Sequence, residues 1–298
     1  MRLRGTAVAR NLAAWSWARG SSDVDWCEGN YQTSQYIAEF YNTISNVPFF
    51  VLPPVAVWKY ARFSYRVDAG INVVFLLLTI IGAGSGYFHA TLSLSGQLFD
   101  EWAIIWVAGA GIALWAPPER WPAIAGGSHF HFKVCMLGLT GVATLLSMAW
   151  PKVNAFIMMG CAPPIAMGVA KTVRALPRDD PRSASALRLA TASGVWWALA
   201  ILCWVNDRVF CEFWKKALNP SLRGSPSERL LGGDHDVEGI TYPQLHALWH
   251  VFVVCGSYTA ITVAAYAHAV RVAPRARPRL HYWPRPLLQW GLPYVAVD

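Results

Sequence analysis

Charged residues are scarce in this chain of 298 residues. Asp, Glu, Lys and Arg make up only 14% of the sequence, whereas hydrophobic residues make up 55%. Ordinary soluble domains carry roughly a quarter charged residues. Disordered chains are poor in hydrophobic residues and rich in charge. The scarcity of charge therefore argues against both classes and indicates an integral membrane protein.

The few charged residues are separated by long segments that contain none. A helix needs roughly 20 apolar residues to cross a hydrocarbon core of about 30 Å. Backbone amides inside that core must be hydrogen-bonded within the protein, and the alternating strands of a membrane barrel are absent from this sequence. We therefore predict an all-α polytopic membrane protein with a seven-transmembrane-helix bundle. The uncharged runs are 40–58, 69–99, 102–118, 134–151, 153–170, 189–206 and 239–270.

These runs divide the chain into one membrane domain at 37–271, a preceding segment at 1–36 and an extended, Arg- and Pro-rich tail at 272–298. Residues 1–20 lack the apolar core of a signal peptide and are expected to be a disordered extension. A long polar connection is expected at 207–243. The expected helices cover about 37–60, 71–90, 98–116, 132–149, 153–174, 187–206 and 243–270.

The formal net charge of +8 raises the question of a nucleic-acid partner. The basic residues lie between the apolar runs rather than in one patch, so we expect no nucleic acid. They instead predict the orientation in the membrane, because short basic connections such as Lys171–Arg188 stay in the cytosol. The N-terminus is then luminal and the C-terminus cytosolic.

Two cysteines, Cys27 and Cys211, lie outside the expected helices and on the expected luminal side. Because a luminal compartment is oxidising, we predict a disulfide between them, with two unrelated free thiols as the alternative. The other cysteines fall inside helices, where they are expected to pack as small apolar residues: Cys135, Cys161, Cys203 and Cys255.

Ionisable side chains are costly inside a membrane, so those within the expected helices are candidates for function. His246 and His250 are four residues apart and share one face of the last helix, as Ser85 and His89 do on the second. Asp100 opens the third helix. Because successive helices alternate in direction, we expect all five side chains to meet at the luminal side of the bilayer.

Three imidazoles with a vacant fourth ligand position are typical of a catalytic zinc site. Zinc polarises a carbonyl and lowers the pKa of bound water to about 7. Asp100 would then act as general base or orient a histidine, and Ser85 would hydrogen-bond the oxyanion or the water. A single intramembrane histidine is more often a contact between helices, and Glu101 is expected to be structural. The convergence of several groups favours the metal.

A second cluster of oxygen ligands precedes the first expected helix. Asp25, Glu28 and Asn30, followed by Glu39, have the close spacing that suits a hard cation such as calcium. A solvated acidic turn or a helix cap is the alternative that spacing alone favours.

The same residues resemble the alkaline ceramidases, membrane amidases that cleave ceramide. The resemblance rests on 24–28, 36–40 and 42–46, on 84–93 with Gln97, Asp100 and Glu101, on 206–211 and on 246–250. It implies a seven-helix fold shared with adiponectin-type receptors and a disulfide between the N-terminal segment and the region of Cys211. It also implies zinc on His89, His246 and His250 beside Ser85 and Asp100, and calcium on Asp25, Trp26 (through its carbonyl), Glu28, Asn30 and Glu39.

The resemblance implies a zinc-dependent ceramidase of the endoplasmic reticulum or Golgi membrane. Its substrate would be a ceramide-type lipid from the bilayer, and its products a sphingoid base and a free fatty acid. A heptahelical receptor or signalling protein with a structural zinc core is the alternative. A zinc transporter ranks last, because its polar residues would be spread over several depths of the membrane.

Overall fold

The computed structural model describes residues 16–151, 153–176, 181–219, 242–284 and 291–298, and these residues are mainly helical. A two-stranded antiparallel hairpin follows the last helix. In chain order the α-helices are α1 (Phe40–Ile44), α2 (Pro48–Lys59), α3 (Ala61–Arg66), α4 (Gly70–Thr91), α5 (Leu94–Trp115), α6 (His129–Ala149), α7 (Val153–Arg174), α8 (Pro181–Leu218) and α9 (Leu245–Val272). Three short 3-10 turns lie at Pro118–Arg120, Ala123–Ala125 and Pro274–Ala276. The strands are β1 (Arg279–Trp283) and β2 (Leu292–Ala296).

Six of these helices, α4 to α9, are long and apolar enough to cross a membrane. They correspond to the second to seventh helices expected from the uncharged runs, and five of them differ by no more than a few residues from the expected bounds. Leucines on α6 such as Leu137, Leu139 and Leu145 are largely exposed, as lipid-facing side chains are. The chain is therefore a helical polytopic membrane protein.

The first expected helix, at 37–60, is not continuous in the structure. It is divided into α1, α2 and α3, with Pro48 in the first turn of α2. A proline there lacks the N–H that would bond the Ile44 carbonyl, and its ring collides with that carbonyl in a continued helix. The expectation of a single helix is therefore wrong at this proline.

Helix α8 continues to Leu218, beyond its expected end at 206. The charges that begin at Asp207 ended the uncharged run, yet the backbone remains helical and kinks only at Phe210, where φ is −109° and ψ is 19°. The first part of the connection expected at 207–243 is therefore helix. Most of the remainder, residues 220–241, lies outside the described residues, as do 1–15 of the N-terminal extension.

The C-terminal residues form a hairpin rather than the expected extended tail. β1 pairs with β2 so that Leu280 lies opposite Val295. Alternate residues of the last strand point inward, and Val295 and Val297 are buried against the helical core. The Tyr258 hydroxyl on α9 donates to the Pro293 carbonyl at 3.0 Å. Arg- and Pro-rich composition concealed this alternation, and the boundary placed at 271 separates segments that pack together.

Helices α4 and α9 form the centre of the bundle, and residues 16–39, here called the N-terminal strap, cross one end of it. The strap is fixed to the last turn of α4 by backbone hydrogen bonds, including Gly20 N–H to Thr91 O at 3.0 Å and Ala38 N–H to Ala90 O at 3.2 Å. The predicted disulfide between Cys27 and Cys211 is confirmed, and it attaches the strap to α8 as well.

Candidate metal centre

Three histidine side chains meet beneath the strap. His89 lies in the last turn of α4, and His246 and His250 lie in the first two turns of α9. All three are buried, and their ring centroids are 4.7–5.0 Å apart. Among the described residues they are the one group of three or more His, Cys, Asp or Glu side chains whose ligand atoms, all within 4.8 Å of one another, could hold a metal ion.

Two ring nitrogens of this cluster carry no hydrogen bond. Within the described part of the chain, Nε2 of His89 and Nδ1 of His246 are buried and have no hydrogen-bond partner. Buried polar atoms are nearly always hydrogen-bonded, so unpaired nitrogens in a cluster of imidazoles need another partner. Three neutral imidazoles can coordinate a zinc ion, and a fourth ligand position is then left for water or substrate.

Each of the three rings is held from outside by a residue of the strap or of α1. Glu39 accepts a hydrogen bond from Nδ1 of His89. Trp26 stacks on His246, and the Ser45 hydroxyl lies 2.7 Å from Nδ1 of His250. The sequence assigned Trp26 and Glu39 to a calcium site and gave Ser45 no role, because residue spacing carries no information on contacts over such distances along the chain.

Ser85 lies beside the histidines, and Asp100 lies beside Ser85. The Ser85 hydroxyl is 3.3 Å from Nε2 of His250, and it interacts with the Asp100 carboxyl group. A close approach of α4 to α5 makes this contact possible, since a Cβ atom on Gly84 would lie 2.9 Å from the backbone nitrogen of Asp100. Helix parity predicted that these two side chains would reach the histidines; Ser85 contacts His250, and Asp100 lies next to Ser85.

Glu101, next to Asp100, takes part in a separate polar contact. Its carboxylate accepts from Gln97 Nε2 at 3.0 Å and from Asn154 Nδ2 at 2.5 Å. The bond from Asn154 connects α7 to α5. His268 lies at the other end of α9, where its ring is 3.7 Å from Asp68.

The residues of the expected calcium cluster also lie together. Glu28 accepts the backbone N–H groups of Tyr41 at 2.6 Å and Asn42 at 2.8 Å, so it caps α1. Asp25 accepts from Asn30 at 3.2 Å, and Glu39 accepts from the Trp26 N–H at 3.0 Å. Glu28 therefore forms the helix cap that was the alternative to a calcium site. The cluster also brings several carboxylates close together.

Burial raises the pKa of Glu28 and of Glu39 to about 7 each. The negative charges of Glu39 and Asp207 raise the pKa of Glu28 further, although the N–H groups of Tyr41 and Asn42 lower it. The side-chain oxygen of Asn30 is buried without a hydrogen-bond partner among the described residues. Crowded carboxylates and an unpaired amide oxygen are a donor set that fits calcium.

Asp207 is a structural residue of the site that the sequence analysis missed. Its carboxylate accepts from the Cys27 N–H at 3.3 Å and from the Tyr242 hydroxyl at 2.6 Å, and it also bonds the backbone of His246. It thereby connects the strap to the start of α9. The sequence did offer one indication of this role, because Asp207 lies in the 206–211 segment that resembles the alkaline ceramidases.

Comparison with known proteins identifies the family to which the chain belongs. The family model described as Ceramidase matches residues 18–296. The chain is 38% identical over 285 residues to "Alkaline ceramidase" of Drosophila melanogaster, covering 95% of this chain and 91% of that protein. It is 35% identical over 277 residues to "Alkaline ceramidase 1" of Homo sapiens, covering 93% and 94%. It is 28% identical over 291 residues to "Alkaline ceramidase" of Arabidopsis thaliana, covering 95% of each. The chain therefore belongs to the ceramidase family of enzymes.

Proposed function

We propose that this protein is a zinc-dependent hydrolase that cleaves the amide bond of ceramide and releases a sphingoid base and a fatty acid. The observation that carries the proposal is the cluster of three buried histidines, two of which have an unpaired ring nitrogen, beside the Ser85–Asp100 pair. Family membership supplies the substrate class.

His89, His246 and His250 would hold the zinc ion. When bound, zinc supplies a Lewis acid that polarises the amide carbonyl and makes water easier to deprotonate. Glu39 keeps a proton on Nδ1 of His89, which leaves Nε2 of that ring unprotonated and able to act as a ligand.

In this mechanism Asp100 carries the proton transfers, and Ser85 stabilises the negative charge that develops. The Asp100 carboxylate accepts a proton from the water whose oxygen bonds to the carbonyl carbon. It then delivers that proton to the amine nitrogen as the carbon–nitrogen bond breaks. The Ser85 hydroxyl donates to the former carbonyl oxygen as negative charge develops there. The contact between Ser85 and Asp100 supports this division of roles.

Ceramide would reach the centre from the bilayer, because its two chains are more stable in lipid than in water. An aromatic row on α5 begins one residue before Asp100 with the exposed Phe99 and continues with the half-buried Trp102 and Trp106. The exposed Phe99 supports access from the side of the bundle.

We further propose seven crossings, with α2 and α3 providing the first, and a position in the endoplasmic reticulum or Golgi membrane. The metal centre, the strap and the disulfide would lie on the luminal side, where oxidation is favoured. Basic side chains at the opposite end, including Lys59, Arg62 and Arg271, would face the cytosol.

A calcium ion bound by Asp25, the Trp26 carbonyl, Glu28, Asn30 and Glu39 would have a structural or regulatory role. It would neutralise carboxylates whose pKa values are raised by burial and, for Asp25 and Glu28, also by the negative charge of Glu39. Because Glu39 also bonds His89, the ion would stabilise the strap against the metal centre.

The proposal is tested with purified wild-type protein and the variants His250→Ala and His131→Ala. We expect zinc in the wild type and fatty-acid release from short-chain ceramide, with loss of both in His250→Ala. His131, an exposed residue at the start of α6, serves as the control and should change neither. Turnover at the wild-type rate in His250→Ala would refute the assignment. Zinc without fatty-acid release in the wild type would favour the receptor alternative.

A further inference from the structure

Ser45 makes a contact with a histidine ring that its position in the sequence does not suggest. It is the C-terminal capping residue of α1, and its hydroxyl oxygen lies 2.7 Å from Nδ1 of His250, which is 205 residues later in the chain. The same hydroxyl lies 2.9 Å from the Asn42 carbonyl oxygen and donates to it.

These two contacts favour one tautomer of His250. A serine hydroxyl has one proton, and the Asn42 carbonyl can only accept it. With that proton on the Asn42 carbonyl, Ser45 accepts a hydrogen bond from His250 and Nδ1 carries the ring proton. Nε2, the nitrogen that lies 3.3 Å from Ser85, is then left with its lone pair available.

The backbone around Ser45 is held firmly enough to make this contact specific. Glu28 caps the start of α1 through two backbone N–H groups. At the other end, the buried Asn46 side chain donates to the Asn42 carbonyl at 2.9 Å, the same oxygen that Ser45 bonds. The hydroxyl therefore has little freedom to turn away from His250.

We propose that Ser45 is a positioning residue of the zinc centre, which holds His250 in the tautomer and ring orientation that a metal ligand requires. The inference rests on the proposed zinc dependence. Outer partners of metal-binding histidines typically change metal affinity about 10–100-fold when they are removed. The Asn42 carbonyl also reaches His250, so we expect a loss near the lower limit, about tenfold.

The experiment measures zinc affinity of the full-length protein by competition with a chromophoric chelator. Ser45→Ala removes the hydroxyl, and Ser45→Thr keeps it. Thr43→Val is the matched control, since it removes a hydroxyl of α1 that donates to the Glu39 carbonyl at 2.7 Å. We expect about tenfold weaker zinc binding in Ser45→Ala, near wild-type binding in Ser45→Thr and no change in Thr43→Val. If Ser45→Ala does not accumulate in the membrane, Ser45→Cys, a weaker acceptor of similar size, replaces it.

A second measurement separates positioning from general loss of stability. Cobalt replaces zinc in each variant, and its visible absorption bands report the arrangement of the ligands. We expect these bands to shift in Ser45→Ala and to remain unchanged in Thr43→Val. Excess zinc should restore hydrolysis in Ser45→Ala but not in His250→Ala. Wild-type affinity and wild-type cobalt bands in Ser45→Ala would overturn the positioning role alone, whereas a wild type that binds no zinc would overturn the zinc dependence as well.

Discussion

Trp26 lies nearly flat against His246, with the two ring centroids 3.7 Å apart and the ring planes 26° from parallel. The guanidinium group of Arg208 lies over the Trp26 ring at 5.5 Å and also donates to the Asp25 carbonyl at 2.9 Å. The strap therefore supports a candidate metal ligand through an aromatic contact that α8 in turn supports.

Trp26→Ala should weaken zinc binding and ceramide hydrolysis because His246 loses this stack. A ring contact contributes about 0.5–1.5 kcal/mol, which corresponds to a loss of roughly twofold to twelvefold in affinity. Competition with a chelator measures the zinc affinity. Trp26→Phe, which keeps an aromatic ring, should retain part of the affinity that Trp26→Ala loses. Trp17→Ala removes another strap tryptophan, which contacts Tyr87 rather than a histidine, and should leave zinc affinity unchanged. Equal losses in the Trp17 and Trp26 variants would contradict the specific role of the stack.

Gly84→Ala should reduce hydrolysis while leaving the protein inserted in the membrane. The added Cβ would approach the Asp100 backbone nitrogen to 2.9 Å, so α5 must move and carry Asp100 away from Ser85. Gly141→Ala on α6 is the control, because nothing lies within 4 Å of a Cβ at that position. Fatty-acid release from detergent-solubilised protein distinguishes the two variants. Retention of full activity in Gly84→Ala would show that the site tolerates this displacement.

Cys27→Ser should lower the thermal stability of the oxidised protein. Loss of a native disulfide typically costs 2–5 kcal/mol, and this one connects residues 184 positions apart. Differential scanning fluorimetry with and without reductant measures the difference. Reductant should destabilise the wild type and have no further effect on Cys27→Ser. Cys135→Ser, which changes a free cysteine on α6, should behave like the wild type.

Calcium should stabilise the protein more at pH 8 than at pH 5.5. The pKa of Glu28 is raised from 4.5 to about 7, chiefly by burial, so the folded state retains a proton that the unfolded state releases. Stability without calcium therefore falls as the pH rises from about 5 to above 7. A cation offsets this loss only when the carboxylates are ionised. Melting temperatures with calcium or with a calcium chelator measure the effect at each pH.

Glu28→Gln should reduce this pH dependence, because the side chain no longer titrates. Glu212→Gln, which changes a largely exposed carboxylate on α8, is the matched control and should keep the wild-type dependence. An equal increase in melting temperature at pH 5.5 and pH 8 on adding calcium would count against the calcium site.

The sequence predicted best the features that follow from the length of uncharged segments and from the helical spacing of polar side chains. Uncharged runs located α4 to α9, and helix direction placed Ser85 and His89 near the His246–His250 pair. These inferences succeed because a membrane helix must satisfy its own backbone and because residues four apart share a face.

The features that the sequence did not predict depend on tertiary contact. The break at Pro48 and the helical continuation past Asp207 each contradict a rule based on uncharged length. The C-terminal hairpin is stabilised by burial of Val295 and Val297 against helices that precede it in the chain. The bond between Ser45 and His250 joins residues too far apart for any local pattern to reveal.

The disulfide and the histidine cluster impose an order on biosynthesis. The strap leaves the ribosome first, but its covalent partner Cys211 and two of the three rings it supports belong to the last third of the polypeptide. A nascent chain that ends before residue 250 lacks part of the histidine cluster, even if its earlier helices have already formed. Loss of the C-terminal segment that contains α9 would therefore disrupt the histidine cluster as completely as loss of the N-terminal strap.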